Sequence, residues 1–422
     1  MRFDRNGLLI PEGDLTGSPE FPTLCPFSPD APNEDAISDV AYPDAPRHAT
    51  VGRFLAAYVG HAEAGGFRER GSSGGLVTWT AEALMREGLI DGVAHVVPVD
   101  PVTGRFFRYR ISRTVEELRA GAKSRYYPVE MSEVLREIRA TPGRYAVVGI
   151  PCFIKAVNLA RHQDPVLRER IVFTLGLFCG HMKSARFVDS IAMQMDVPME
   201  EVRAVEFRLK DPSRPANVYT AGLTLNSGEL RKRDWWNLVD GDWGAGFFQA
   251  SACNFCDDVI AETADVSFGD AWIEPYSSDG NGTNVVVVRS SVVENLIQKG
   301  IAEERLALSP VNEAFVVETQ AAGFRQRREG LSYRLTWPKR GIRPVKRVGP
   351  ARPDDPRRRL IYRTRASISQ WSHRLFRLAR RMGKREPYVL WGRTAVAFYH
   401  GVAYSRGKVG TLIARLGLAR DA

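Results

Sequence analysis

The sequence has few of the features that mark membrane-spanning or secreted proteins. None of its 422 residues belongs to an apolar run of the roughly 18 to 20 residues that a membrane span needs. Residues 1–6 lack the apolar stretch of a signal peptide. Five cysteines are too few and too scattered for a disulfide scaffold. We therefore expect a cytoplasmic protein, whose 44% apolar content suffices for a large buried core.

An excess of positive charge is also missing from most of the chain. Residues 341–422 contain 20 Lys and Arg against 4 Asp and Glu, a net charge of +16, so residues 1–340 carry −6 of the total of +10. A mildly acidic body argues against specific nucleic-acid binding. The basic terminal segment suits a peripheral contact with an anionic membrane at its inner face, and a solvated or partner-covering tail is equally open.

Apolar stretches typical of strands alternate with amphipathic stretches typical of helices. Strands are predicted at 55–60, 90–97, 105–111, 145–150, 171–178, 218–225, 229–234 and 284–289, and helices at 76–88, 115–120, 132–141, 154–159 and 291–300. This alternation predicts an α/β fold with a mixed, partly parallel sheet and flanking helices.

The composition divides the chain into three parts. Residues 1–50 are rich in Pro, Gly, Asp and Asn and predict an irregular N-terminal wrap. Residues 51–340 hold the α/β domain. Residues 341–422 predict a basic α-helical C-terminal appendage that is separable from the rest.

Four of the five cysteines are candidate metal ligands. Cys152 and Cys179 each follow a predicted strand, and Cys253 and Cys256 form a CxxC pair. Because the carboxyl ends of parallel strands share one edge of a sheet, the two distant thiols can converge there with the pair. Four thiolates suit a [4Fe-4S] cluster or a zinc ion equally well, and isolated cysteines are more often core residues.

Two polar segments are candidates for binding a phosphorylated cofactor. Residues 71–75 form a Gly-Ser-Ser-Gly-Gly loop before a predicted helix, which suits either a phosphate cradle or an ordinary helix cap. Residues 123–126, Lys-Ser-Arg-Tyr, offer two cations, a hydroxyl and a ring, or simply a solvated loop.

Seven motifs resemble, in sequence and in order, those of the deazaflavin-coenzyme hydrogenase/dehydrogenase β-subunit family. The likeness runs from about Tyr58 to Arg289. The motifs are Gly71-Ser72-Ser73-Gly74-Gly75, Gly88-Leu89-Ile90-Asp91-Gly92, Lys123-Ser124-Arg125-Tyr126, Gly149-Ile150-Pro151-Cys152, Gly176-Leu177-Phe178-Cys179-Gly180, Cys253-Asn254-Phe255-Cys256-Asp257-Asp258 and Ala264-Asp265-Val266-Ser267-Phe268-Gly269-Asp270-Ala271-Trp272.

The resemblance implies a flavin and iron–sulfur oxidoreductase, with a redox partner protein or a reduced coenzyme such as a deazaflavin as electron donor or acceptor. It assigns a [4Fe-4S] cluster to Cys152, Cys179, Cys253 and Cys256. It assigns FAD to Ser72, Ser73, Gly74, Gly75, Lys123, Ser124, Arg125, Tyr126 and Asn284.

Three points stay open beside this resemblance. Many family members carry further N-terminal cluster cysteines, whereas this sequence has only Cys25 there, so we expect no additional clusters. The catalytic residues are unknown, with His181 and Asp270 as candidates for proton transfer. The alternative function is a non-redox member that uses a four-cysteine zinc site as a structural or assembly protein in cell-surface polysaccharide production.

Overall fold

The computed structural model describes residues 1–13, 19–101, 104–338 and 345–415. Its strands are β1 (Arg2–Phe3), β2 (Leu9–Ile10), β3 (Arg47–His48), β4 (Gly52–Arg53), β5 (Ala56–Ala62), β6 (Gly92–Pro98), β7 (Phe107–Ser112), β8 (Tyr145–Gly149), β9 (Ile171–Leu177), β10 (Val202–Leu209), β11 (Thr220–Leu225), β12 (Leu230–Asp234), β13 (Val266–Asp270), β14 (Asn284–Val288) and β15 (Leu306–Pro310).

The helices are α1 (Phe21–Leu24), α2 (Glu34–Ala41), α3 (Phe67–Arg70), α4 (Leu76–Arg86), α5 (Val115–Ala120), α6 (Ser132–Ala140), α7 (Pro151–Gln163), α8 (Pro165–Arg170), α9 (Arg186–Gln194), α10 (Ser291–Ala302), α11 (Glu313–Thr319), α12 (Ala321–Arg327), α13 (Glu329–Leu335), α14 (Pro356–Met382), α15 (Glu386–Tyr404) and α16 (Gly407–Arg415). No described helix is long and apolar enough to cross a membrane.

An eight-stranded mixed sheet forms the centre of the described chain, in the order β15-β5-β14-β13-β9-β8-β6-β7. Strands β13, β9, β8 and β6 are parallel to one another, and the remaining pairs are antiparallel. The prediction of an α/β fold with a mixed, partly parallel sheet is confirmed.

Alternate residues of β14 show why helices cover both faces of this sheet. Val286 and Val288 are buried in one apolar cluster with residues of α4 and α10. Val285 and Val287 are buried in another with Val316 and Phe324 of α11 and α12. A run of β-branched residues without polar alternation is the pattern expected of a strand that is covered on both sides.

The strand register places the ends of the parallel strands together. Gly149 of β8 pairs with Gly176 of β9, and Leu177 of β9 pairs with Phe268 of β13. The segments that follow β8 and β9 therefore leave the sheet at the same edge, which is where ligands bind in open α/β sheets.

The C-terminal helices pack into the body of the protein. Strands β10, β11 and β12 form an antiparallel sheet. Its core includes Ile368 and Phe376 of α14 together with Tyr388 and Tyr399 of α15. The tail is helical, as predicted, but apolar burial joins it to the body, so the expectation of a separable appendage is not met. The predicted boundary near residue 340 lies outside the described residues.

The N-terminal segment contains short regular elements that the sequence analysis placed among loops, and α2 is the longest of those described. Helix α2 begins after Asn33, whose side-chain oxygen accepts a hydrogen bond from the Ala36 amide at 2.9 Å. Glu34 and Asp35 add negative charge to the first turn. Such a cap with acidic neighbours stabilises a helix start even in a segment of mixed composition.

Candidate functional site

The four predicted ligand cysteines lie on segments that meet at the edge where β8 and β9 end. Cys152 lies in the first turn of α7, directly after β8. Cys179 follows β9, and its amide donates to the Val259 carbonyl at 2.9 Å. Cys253 lies in a short 3-10 helix over Ser251–Phe255, and Cys256 follows it. The hydrogen bond to Val259 ties the strand end to the chain just after the CxxC pair.

The four thiols act on one another electrostatically. Burial raises the pKa of Cys152 well above its ordinary value, and the nearby thiolates of Cys256, Cys179 and Cys253 raise it further. Burial also raises the pKa of Cys179 to about 12 and that of Cys256 to about 11. Cys25 is not among the charged groups that chiefly shift the pKa values of these thiols. Thiolates held this close in a buried site repel each other and need positive charge to stay ionised.

Arg327, at the end of α12, supplies positive charge to this site. Its guanidinium donates hydrogen bonds to the carbonyl oxygens of Cys179 (3.1 Å), Gly180 (2.6 Å), Cys253 (3.3 Å) and Cys256 (3.4 Å). Burial disfavours its charged form, but the four thiolates outweigh burial and raise its pKa. One buried guanidinium therefore fixes the backbone around three of the cysteines and interacts with all four sulfurs.

The thiols remain partly accessible within this arrangement. Cys256 is buried, whereas Cys152, Cys179 and Cys253 are half-buried. The Met182 amide donates to Cys253 Sγ at 3.3 Å. Among the described residues, no group of three or more His, Cys, Asp or Glu side chains is placed to hold a single metal ion.

The two aspartates after the CxxC pair have structural partners. Asp258 accepts hydrogen bonds from the Ile260 and Glu262 amides, both at 3.0 Å, so it shapes the turn. Asp257 lies 3.4 Å from the guanidinium of Arg347, which also forms a bidentate pair with Glu262 at 2.6 and 2.8 Å. These buried contacts fasten the loop after Cys256 to the chain that follows α13.

The glycine loop before α4 is closely packed against the sheet. A Cβ at Gly74 would lie 2.8 Å from the Gly60 carbonyl oxygen and 2.9 Å from Asn284 Oδ1. Gly75 caps α4 with φ of +81°, a conformation that favours glycine. Ser73 donates to the Thr283 carbonyl at 3.0 Å. The loop is thus a tight turn into α4 that is packed against the sheet, and neither of its serines caps the helix.

Asn284 has both ends of its amide engaged within the protein. Its Oδ1 accepts from the Leu76 amide at 3.2 Å, and its Nδ2 donates to the Gly269 carbonyl at 2.9 Å. The side chain therefore links the start of α4 to β13. Its predicted role in binding flavin remains a prediction beside this structural one.

Residues 123–126 lie beside the glycine loop. The Ser124 amide donates to Ser72 Oγ at 2.9 Å. Lys123 and Arg125 both face Glu206, with N···O distances of 3.6 and 2.9 Å. Lys123 has φ of +96°, which is strained for a residue with a side chain. Such strain is often found where a side chain is aimed at a ligand.

A row of rings connects residues 123–126 with the cysteine site. The ring of Tyr126 lies 4.8 Å from that of Trp243, and Trp243 stacks on His181 with centroids 4.3 Å apart. His181 follows Cys179 by two residues. It is buried, and within the described residues neither of its ring nitrogens has a hydrogen-bond partner. Burial and then Lys183 hold its pKa well below the ordinary value, so the imidazole is neutral.

The second catalytic candidate, Asp270, is held in an ion pair. Arg208 Nη1 lies 2.9 Å from Asp270 Oδ2, and the Arg208 side chain is buried. The guanidinium also lies over the ring of Tyr219 at 4.3 Å from its centroid. Asp270 ends β13 at the same sheet edge as the cysteines, but its fixed cation makes it a weaker candidate for proton transfer than His181.

Sequence reasoning missed Arg327 and Arg208 as members of this site. The sequence did contain a signal for Arg327, because it lies three residues after buried Phe324 and four before buried Leu331, a helical spacing. An arginine on the buried stripe of a helix requires an internal partner. For Arg208 the sequence has no comparable signal.

Comparison with known proteins gives matches over most of the chain. Residues 57–136 match the family described as coenzyme F420 hydrogenase/dehydrogenase, beta subunit N-term, and residues 143–314 match the C terminus of the same beta subunit. The coenzyme F420-dependent sulfite reductase of Methanocaldococcus jannaschii is 26% identical over 245 residues, 54% of this chain and 34% of that protein. The chain thus aligns with about a third of this relative.

A solved structure shares the fold. A chain in the F420-reducing [NiFe] hydrogenase complex from Methanosarcina barkeri superposes with a TM-score of 0.54 and 18% identity, over 71% of this chain and 99% of that one. The two family matches are adjacent, in the expected order, and include the four candidate cysteines and both candidate cofactor segments. The chain belongs to the coenzyme F420 hydrogenase/dehydrogenase β-subunit family.

Proposed function

We propose that this protein is an oxidoreductase that uses FAD and one [4Fe-4S] cluster to exchange electrons between a deazaflavin coenzyme or a redox partner protein and a substrate. The observation that carries the proposal is the convergence of four thiols around Arg327. All four raise the pKa of one guanidinium, although they come from segments as far apart as Cys152 and Cys256.

The four cysteine thiols are suitable ligands for an iron–sulfur cluster. Buried thiols that repel one another become stable thiolates when metal charge is present. In a [4Fe-4S] cluster each thiolate binds a different iron atom, so the sulfurs lie further apart than the roughly 3.8 Å that four thiolates on one Zn²⁺ require. The lack of a single-ion site among the described residues is compatible with this wider arrangement.

The flavin is proposed to lie against the Ser72 and Lys123 segments. The hydrogen bond between Ser124 and Ser72 holds the two segments side by side. When bound, the flavin would convert between two-electron and one-electron steps while the cluster carries single electrons. Lys123 would stabilise negative charge on a reduced ring, and Glu206 holds Lys123 in place.

His181 is the proposed proton-handling group between the flavin segments and the cysteine site. Its imidazole is neutral, and its ring nitrogens have no hydrogen-bond partner in the described structure. The rings of Tyr126 and Trp243 fill the interval between residues 123–126 and His181. The names of an F420-dependent and an F420-reducing relative support a deazaflavin as the proposed donor or acceptor.

Metal analysis of two cysteine variants tests the cluster. Cys256→Ser is expected to lose most of the iron and acid-labile sulfide of the anaerobically purified protein, because oxygen is a poor substitute for thiolate on iron. Cys25→Ser is the matched control and should retain both. Equal iron loss in the two variants, or stoichiometric zinc without iron in the wild type, would overturn the cluster.

A change at Lys123 tests the flavin position separately from folding. Lys123→Gly removes the charge and relieves a strained backbone, so thermal stability is expected to stay equal or rise while FAD content falls. Lys232→Gly, on an exposed strand, is the control for loss of a lysine. Full FAD occupancy in Lys123→Gly would place the flavin elsewhere.

A further inference from the structure

A cavity of about 280 Å³ lies between the N-terminal segment, α9 and α14, outside the proposed redox site. Five arginines line it: Arg5, Arg186, Arg377, Arg380 and Arg381. His373 and Phe376 complete the lining. No carboxylate lines the cavity among the described residues, so its walls are strongly cationic.

Only part of this positive charge is balanced within the protein. Asp189 pairs with Arg186 at 2.6 Å and with Arg380 at 3.0 Å. Arg5, Arg377 and Arg381 have no carboxylate within ion-pair distance in the part of the chain that the structure describes. Arg377 makes one long hydrogen bond, at 3.4 Å, to Asn6 Oδ1. Three guanidinium groups thus share one recess without an internal counter-ion.

The remaining polar groups near the cavity are satisfied. His373 Nδ1 donates to the Ser369 carbonyl at 2.9 Å, and its Nε2 shares a hydrogen bond with Ser184 Oγ at 3.1 Å. Burial lowers the pKa of His373, which favours the neutral imidazole. Asp4 accepts from the Asn6 and Leu8 amides at 2.8 and 2.9 Å, so it shapes a turn.

We propose that this cavity binds a phosphate group. Clustered arginines repel one another unless an anion joins them, and the planar guanidinium matches phosphate oxygens in bidentate pairs. The volume is close to the lower limit of about 300 Å³ for small-molecule pockets, which suits one or two phosphate groups.

A phosphate group can reach this cavity from two sources. A phosphorylated soluble ligand would occupy the cavity alone. A phospholipid would place its headgroup in the cavity, where the guanidinium groups of α14 meet it at the membrane surface.

Binding measurements on the full-length protein test the site and separate the two sources. The probes are pyrophosphate, and vesicles of phosphatidylcholine with or without phosphatidylglycerol. Arg377→Glu is expected to weaken binding at least about tenfold, because charge-assisted hydrogen bonds are lost. Arg374→Glu makes the same charge change three residues away, outside the cavity lining, and should change affinity less than about twofold.

Each outcome has a definite meaning. Pyrophosphate binding that only Arg377→Glu weakens supports a soluble phosphorylated ligand. Binding restricted to phosphatidylglycerol vesicles, with the same dependence on Arg377, supports a lipid headgroup. Equal losses in both variants would show a general effect of surface charge and overturn the site, as would no binding of either probe at low salt. If Arg377→Glu fails to fold, exposed Arg381→Glu replaces it with the same expectations.

Discussion

Arg327 shows how a single buried cation can organise a site made from distant parts of the chain. Its guanidinium contacts backbone carbonyls of Cys179, Gly180, Cys253 and Cys256, and its charge opposes that of four thiolates. The protein needs it both when the cysteines are bare and when they carry a ligand.

Replacing Arg327 is expected to be costly. Arg327→Ala leaves four carbonyl oxygens without their donor and should lower the free energy of unfolding by ~3 kcal/mol, together with the iron content. Arg325→Ala, on the exposed side of the same helix, is the control and should change both little. Urea unfolding and iron analysis measure the effects. Retention of stability and iron in Arg327→Ala would contradict the role described.

His95 gives the protein a pH dependence that is unrelated to the redox site. Burial, then Arg110, lowers its pKa to about 4, compared with about 6.5 in the unfolded chain. The unfolded state therefore binds the proton more tightly. Stability is fully present above pH ~6.5 and falls as the pH drops through about 4, by ~3 kcal/mol in total. His95→Gln should reduce the loss of unfolding free energy between pH 7 and pH 4, as measured by urea unfolding. If the free energy of unfolding depends on pH in the variant as it does in the wild type, His95 is not the cause.

At the scale of elements, strands and helices with a clear apolar period were predicted well. Helix α5 was predicted with its observed bounds, and β8 and β9 to within one residue. The start of α7 was missed because Pro151 in its first turn was taken for a turn residue, although proline is favourable there. Pairing of β15 beside β5 had no signal in the sequence, since the contact is long-range.

Substitutions in α14 test whether the C-terminal helices contribute to the stability of the whole protein. Phe376 is 1% exposed and meets Phe248 and Tyr388 edge-on, at 5.3 and 5.2 Å between ring centroids. Phe376→Ala should lower the unfolding free energy by ~3–5 kcal/mol in one cooperative transition. Leu378→Ala, 47% exposed on the same helix, should cost less than ~0.5 kcal/mol. A separate low-stability transition in the wild type would contradict shared packing.

At the scale of the molecule, charge was a misleading guide to organisation. The arginine-rich composition after residue 340 suggested a detached tail, whereas buried residues such as Ile368, Tyr388 and Tyr399 make α14 and α15 part of the core. Net charge concerns solvent and partners, and packing depends on the apolar stripe that the same helix carries. The convergence of the cysteines was predictable from strand ends, but their shared guanidinium was not.

A chain that ends at Gly349 tests this conclusion. It lacks the helices that cover Phe247 and Phe248, both fully buried in the whole protein. We expect it to expose this apolar surface, bind the dye ANS and aggregate, as measured by fluorescence and sedimentation. A soluble shortened chain with one sharp thermal transition would restore the view of a separable appendage.

Arg347 sets an order for the maturation of the site during synthesis. The last of the four thiols, Cys256, leaves the ribosome 71 residues before Arg327, and Asp257 leaves 90 residues before Arg347. Until those arginines emerge, the cysteine loop has neither its backbone donors nor its buried counter-charges. The loop around the cysteines therefore reaches its fixed form only after residue 347 has been made, and a chain that stalls before it presents four cysteines without the contacts that fix them.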